Sequence, residues 1–168
     1  AATVAVHLTL PPQTMQTAYY WLAVGNSFEE VTRLNRSVRH RGPWHFLSRT
    51  ASYWHLWLDV HRPDFADLPA EVSRLYLASL LILRTQIDNG GAIIAANDSD
   101  IASAVRDTYS YMWPRDGALV AHAMNLAGYL PITQAFFNFC REILSKEGYL
   151  LHKYNPDGTL ASSWHPWV

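Results

Sequence analysis

Cys140 is the only cysteine in this 168-residue chain, so no intrachain disulfide can form. That excludes the stapled framework of a small secreted domain. The setting Phe136-Phe137-Asn138-Phe139-Cys140 marks the thiol as a small buried hydrophobe rather than a nucleophile. Long apolar runs are also missing. Every hydrophobic stretch is short and interrupted by polar residues, which excludes a membrane-spanning helix and a signal peptide within these residues. A leader ahead of Ala1 is left open, and a cytoplasmic location is the favoured expectation. Nor is there an excess of either charge: 13 Lys and Arg face 14 Asp and Glu, spread along the chain, for a formal charge of −1. Nucleic acid and anionic membranes therefore have no electrostatic footprint here. The one basic cluster, Arg33, Arg36, Arg39, His40 and Arg41, falls at helical spacing and reads as a solvated face.

Metal-binding patterns are scarce as well. None of the eight histidines belongs to the paired-His zinc motif with an intervening glutamate. Asp98-Ser99-Asp100 offers two carboxylates at alternating positions but lacks the glycine and distal glutamate of a calcium loop. Capping ahead of Ile101 is their expected task, and no structural metal is expected. The glutamates have ordinary assignments. Ser27-Phe28-Glu29-Glu30 reads as a capping box and Glu71 as a first-turn residue, while Glu142 and Glu147 flank a helix end beside Arg141 and Lys146.

What the chain does contain is helical periodicity. Val4, Val6, Leu8 and Leu10 alternate with polar or small residues and predict a half-buried strand, with Tyr19 to Val24 as a second. Beyond these, the pattern changes to period 3.6. Ser27 to about His40 predicts a helix with Phe28, Val31, Leu34 and Val38 on one face. After Gly42-Pro43 a second helix carries Phe46, Leu47, Thr50, Trp54, Trp57 and Leu58. From Pro69 to Ile87 the apolar positions are Val72, Leu75, Tyr76, Leu80, Leu83 and Ile87, until Asn89-Gly90-Gly91 breaks the run. A long loop from Asn89 to Pro114 follows, and loops of that length inside compact domains tend to be functional. Two shorter helices, Gly117 to Ala127 and Pro131 to Leu144, are joined by Gly128-Tyr129-Leu130 so tightly that they should run antiparallel. The last stretch, with Asn155-Pro156-Asp157-Gly158 as its turn, predicts an irregular loop or short hairpin.

The chemistry is concentrated in Tyr109-Ser110-Tyr111-Met112-Trp113-Pro114-Arg115-Asp116-Gly117. Pro114 sits where a proline suits a helix start, and Asp116 faces the positive end of the following helix. An Arg beside an Asp can satisfy both the donor and the acceptor half of a sugar hydroxyl, and Tyr109, Tyr111 and Trp113 offer rings for the C–H faces of a pyranose. The bland alternatives are an ordinary N-cap, a surface ion pair and aromatic core.

This segment resembles the signature of the bacterial and archaeal glucoamylase-like glycoside hydrolases, family fifteen. The likeness extends through Leu83-Arg84-Thr85-Gln86-Ile87-Asp88, Gly91-Ala92-Ile93-Ile94-Ala95-Ala96, His152-Lys153-Tyr154-Asn155-Pro156-Asp157-Gly158 and Ser162-Ser163-Trp164-His165-Pro166-Trp167. With Tyr19-Tyr20-Trp21-Leu22-Ala23-Val24-Gly25 it covers nearly the whole chain. The resemblance implies a mainly α protein with part of an (α/α)6 barrel (residues 63–168), linker helices before it (26–62) and a remnant of a β-sandwich domain (1–25). It implies inverting, exo-acting release of glucose from the non-reducing ends of α-linked glucans by two glutamates, and no cofactor. By the same resemblance Arg115 and Asp116 hold the terminal glucose, Tyr109 lies near the developing oxocarbenium ion, Trp113 walls the pocket, and Trp164 packs over the sugar. For Lys153 and His165 only surface or packing roles are expected.

The chain also departs from that pattern. The family's general acid follows a segment like Ser162 to Val168 and its base lies far downstream, so neither catalytic glutamate is present here. An inverting enzyme needs two carboxyls about 6.5–9.5 Å apart, and no residue here offers a partner for Asp116. Two expectations follow. In one the chain is the amino-terminal part of an α-glucosidase, inactive alone, whose partners are an α-glucan and the remainder of its own barrel. In the other it is a non-catalytic helical module that binds carbohydrate or another protein.

Overall fold

The computed structural model of the protein describes residues 3–97 and 109–161. Among them are five helices: α1 (Phe28–Arg41), α2 (Pro43–Asp59), α3 (Ala70–Thr85), α4 (Pro114–Leu126) and α5 (Leu130–Glu142). Each lies within a few residues of its predicted span. The largest departure is α4, which begins at Pro114 rather than Gly117 because a proline in the first turn sets the helical φ and has no amide to leave unpaired. The chain divides into two compact units, Ala1–Leu56 and Trp57–Val168.

In the first unit Ser27 caps α1, its hydroxyl accepting from the Glu30 amide at 3.2 Å. The Glu30 carboxylate reaches back one residue further than the usual capping box, to the Asn26 amide at 2.9 Å. Gly42 ends the helix at φ +81°, a conformation disfavoured for side-chain-bearing residues, and its amide donates to Val38 O at 2.9 Å. Val31, Leu34 and Val38 are half-buried as their spacing predicts, whereas Phe28 is 87% exposed.

The two predicted strands are not formed. Residues 4–10 and 19–24 carry no ladder, and Val4, Val6, Leu8 and Leu10 are all exposed. Alternation prepares one face of a strand, but the backbone donors and acceptors still need a neighbouring strand, and none of the described residues supplies one. Tyr19, Tyr20 and Trp21 instead line an apolar groove of about 450 Å³ with Val38, Phe46 and Trp54. The Trp21 indole donates to Asn35 Oδ1 at 3.1 Å.

The second unit holds the buried core: Leu80, Ile87, Ala92, Ile93, Met112, Ala121, Met124, Tyr129, Phe136, Phe139 and Tyr154. On α3 the inward stripe runs through Tyr76, Leu80 and Leu83 to Ile87, while Val72 and Leu75 of the predicted face remain exposed. Helices α4 and α5 pack on each other, and the pairing of Ala121 with Thr133 and of Gly117 with Phe136 is that of antiparallel neighbours. Between them Gly128 turns the chain at φ +90° and Tyr129 anchors it. The Tyr129 ring stacks on Trp57 at 4.3 Å and its hydroxyl donates to Trp57 O at 2.9 Å. Burial, with a smaller contribution from Tyr76, pushes that phenol up from its ordinary pKa.

Candidate functional site

The chain leaving α3 is folded back immediately. Asp88 Oδ1 accepts from the Gly90 amide at 2.7 Å, and the Asp88 amide donates to Ala92 O at 2.8 Å. Gly91, at φ +98°, lies so close to α5 that a Cβ there would stand 2.3 Å from Ala135 O. This reversal brings Ile94 opposite Met112, with the Ala95 amide donating to Tyr111 O and the Ala96 amide to Tyr109 O, both at 3.0 Å. On the other side Met112 and Tyr154 exchange two hydrogen bonds of 2.9 Å. Tyr154 in turn pairs with Leu160 across the Asn155–Thr159 turn, the hairpin expected there. These bridges form a narrow antiparallel patch at the N-terminus of α4, with Met112 wholly buried in it.

Out of this patch runs Trp113, which occupies the N-cap position of α4 without a side-chain cap bond. Pro114, Arg115 and Asp116 make the first turn. Tyr109, Trp113, Arg115 and Asp116, with Ala95 and His152, line one cavity of about 330 Å³. That lies at the lower end of the range for small-molecule sites. The Tyr109 and Trp113 rings are 5.9 Å apart, tilted by 35°. Arg115 Nη2 lies 3.4 Å from Asp116 Oδ2, and the two side chains are 84% and 44% exposed. So long and open an ion pair adds little to stability, and it leaves both groups accessible to a ligand. Asp116 is therefore not the helix cap.

Four of the five residues singled out from the sequence thus share one cavity. Trp164, the fifth, lies outside the described residues, as does Asp98-Ser99-Asp100. Tyr111 is not in the lining; it packs edge-on against Trp113 at 5.9 Å. A second recess of about 500 Å³, between Ile82, Leu83 and Gln86 on one side and Leu119 and Val120 on the other, shares Ala95 and Asp116 with the first.

Two residues went unread. His152 lines the cavity, and Lys153, given a surface or packing role from sequence, is 2% exposed with Nζ 4.4 Å from the Tyr111 ring centroid and 5.7 Å from that of Trp113. Only the pairing of Tyr154 with Met112 brings them to the aromatic segment some forty residues earlier, and nothing in a linear motif announces that pairing. Among the described residues no group of three or more His, Cys, Asp or Glu side chains could hold a metal ion. The arrangement combines ring faces with a guanidinium donor, a carboxylate acceptor and an imidazole. That set suits a compact ligand with apolar faces and many hydroxyls.

A helical scaffold with such a recess at a helix mouth defines a candidate site for a polyhydroxylated ring. The sequence profile of the glycosyl hydrolases family 15 matches residues 71–164, a span that contains every residue lining the cavity. The match takes in more than half of the chain, and the chain belongs to that family. It is also 32% identical over 110 residues to an uncharacterized glycosyl hydrolase of Methanocaldococcus jannaschii. That alignment covers 64% of this chain and 17% of the relative, so the chain spans about a sixth of that protein's length. No solved structure matches the chain.

Proposed function

We propose that the cavity grips the terminal glucose of an α-linked glucan, and that the chain is the amino-terminal portion of an inverting, exo-acting α-glucosidase. In this reading α3, α4 and α5 are the first helices of an (α/α)6 barrel, and α1 and α2 are linker helices. The observation that carries it is the convergence of Tyr109, Trp113, Arg115 and Asp116 on one recess at the N-terminus of α4. The family match supports the carbohydrate class, and the resemblance of the signature segment supports the exo-acting α-glucosidase. Arg115 donates to and Asp116 accepts from the hydroxyls of the bound hexose, while Tyr109 and Trp113 cover its faces. Hydrolysis itself is assigned to two glutamates outside this chain, one protonating the glycosidic oxygen and the other activating water. The residues here supply binding energy and orientation, not proton transfer.

The test is titration of maltose into the full-length protein that carries this chain, with Arg115→Ala and Asp116→Ala alongside. Each variant is expected to weaken binding by roughly ten- to a hundred-fold, the effect of removing a charged hydrogen-bond partner. An unchanged Kd in both variants would remove the assigned role.

A further inference from the structure

Lys153 is the one charged residue that is buried among the described residues, at 2% exposure. Taking an ammonium out of water is unfavourable unless its surroundings compensate. A methionine of similar length would fill the same space without that penalty, so the charge does more than pack. Its Nζ stands 4.4 Å from the Tyr111 centroid and 5.7 Å from the Trp113 centroid, both within the reach of about 6 Å over which an aromatic face attracts a cation. The backbone sets this position: Tyr154, next in sequence, is locked to Met112 by two hydrogen bonds of 2.9 Å, and the Ala161 amide donates to Lys153 O at 3.3 Å. Tyr111 also packs edge-on against Trp113 at 5.9 Å, so the ammonium and two rings form one cluster. Trp113 walls the cavity and precedes the turn that carries Arg115 and Asp116, whereas Lys153 does not line the cavity.

We propose that Lys153 is a positioning residue for sugar binding. Attraction of its ammonium to the Tyr111 and Trp113 rings fixes the indole in place before the ligand arrives. The sugar then meets a preset ring instead of having to order it, which strengthens binding without a contact of its own. This rests on the proposed reading of the cavity as a hexose pocket.

The experiment is a double-mutant cycle on maltose affinity in the full-length protein, using Lys153→Met, Trp113→Ala and the pair, with thermal unfolding measured on each. Lys153→Met is expected to weaken Kd by roughly three- to thirty-fold, and Lys153→Arg to retain most of the affinity because a guanidinium keeps the attraction to the rings. In the Trp113→Ala background Lys153→Met should add almost nothing, since the ring it fixes is gone. Independent, multiplying effects of the two substitutions would overturn the proposal. So would parental affinity in Lys153→Met, or a drop in unfolding temperature with no change in affinity, which is the behaviour of a packing residue. Lys153→Gln carries the same comparison if the methionine variant does not fold. Should Trp113→Ala bind maltose like the parent, the hexose reading of the cavity fails and takes this proposal with it. Weakened binding in Trp113→Ala beside unaltered binding in Lys153→Met removes Lys153 alone.

Discussion

Asp157 shows how much a single side chain fixes in the turn beside the cavity. Its Oδ1 accepts from the Thr159 hydroxyl at 2.6 Å and from the Thr159 amide at 2.9 Å, and these bonds hold its carboxyl below the ordinary aspartate pKa. Because the folded pKa is the lower one, the stabilisation is complete above the unfolded-state value and is lost as pH falls through the folded-state value. The Thr159 amide resonance is expected to titrate with a midpoint below that of an ordinary aspartate, and Asp157→Asn to abolish the titration. Cys140 behaves as its aromatic neighbours foretold: it is half-buried, and burial pushes its thiol up from the ordinary pKa. The residue scale also holds the least legible feature. Arg115 and Asp116 can be named from a contiguous motif, but His152 and Lys153 join the site only through a pairing between distant backbone segments.

Helices were readable because their determinants are local: apolar spacing, a cap such as Ser27, a stop such as Gly42, a proline in a first turn. The strand expectation for residues 4–10 failed because a strand's stability resides in its partner. Gly117 lies between these cases. It belongs to the signature segment, yet the need for a glycine there appears only when α5 is packed on α4, where a Cβ would stand 2.5 Å from the Phe136 ring. Gly117→Ala should gain up to about 1 kcal/mol of helix propensity. It should lose more to crowding, since overpacking a core typically costs about 1–3 kcal/mol. Net destabilisation is expected in chemical denaturation, and because Asp116 precedes this position, weaker maltose binding should accompany it.

At the scale of the whole molecule, the helices present large apolar side chains to solvent: Leu75 and Ile82 on α3, Leu119 and Leu126 on α4, and Phe137 on α5. Scattered exposed apolar residues are normal, but rows of them on successive helices fit surfaces that pack against further helices. Among the described residues no helix is long and apolar enough to cross a membrane. The 168-residue chain by itself is expected to self-associate on size exclusion and to bind a hydrophobic dye. A dye-silent monomer would favour the free-standing carbohydrate-binding module over the barrel fragment. From sequence alone came the mainly helical class, the order and approximate limits of the helices, and the cavity residues Tyr109, Trp113, Arg115 and Asp116. All of these follow from interactions between near neighbours along the chain or from one contiguous segment. The structure alone decided that the first forty residues before and within α1 build no sheet, that Asp116 lies in the first turn without capping it, and that Lys153 sits beneath the rings. Those outcomes depend on which remote segments meet, and contacts of that kind are set by packing and backbone pairing across space, which a one-dimensional pattern does not encode.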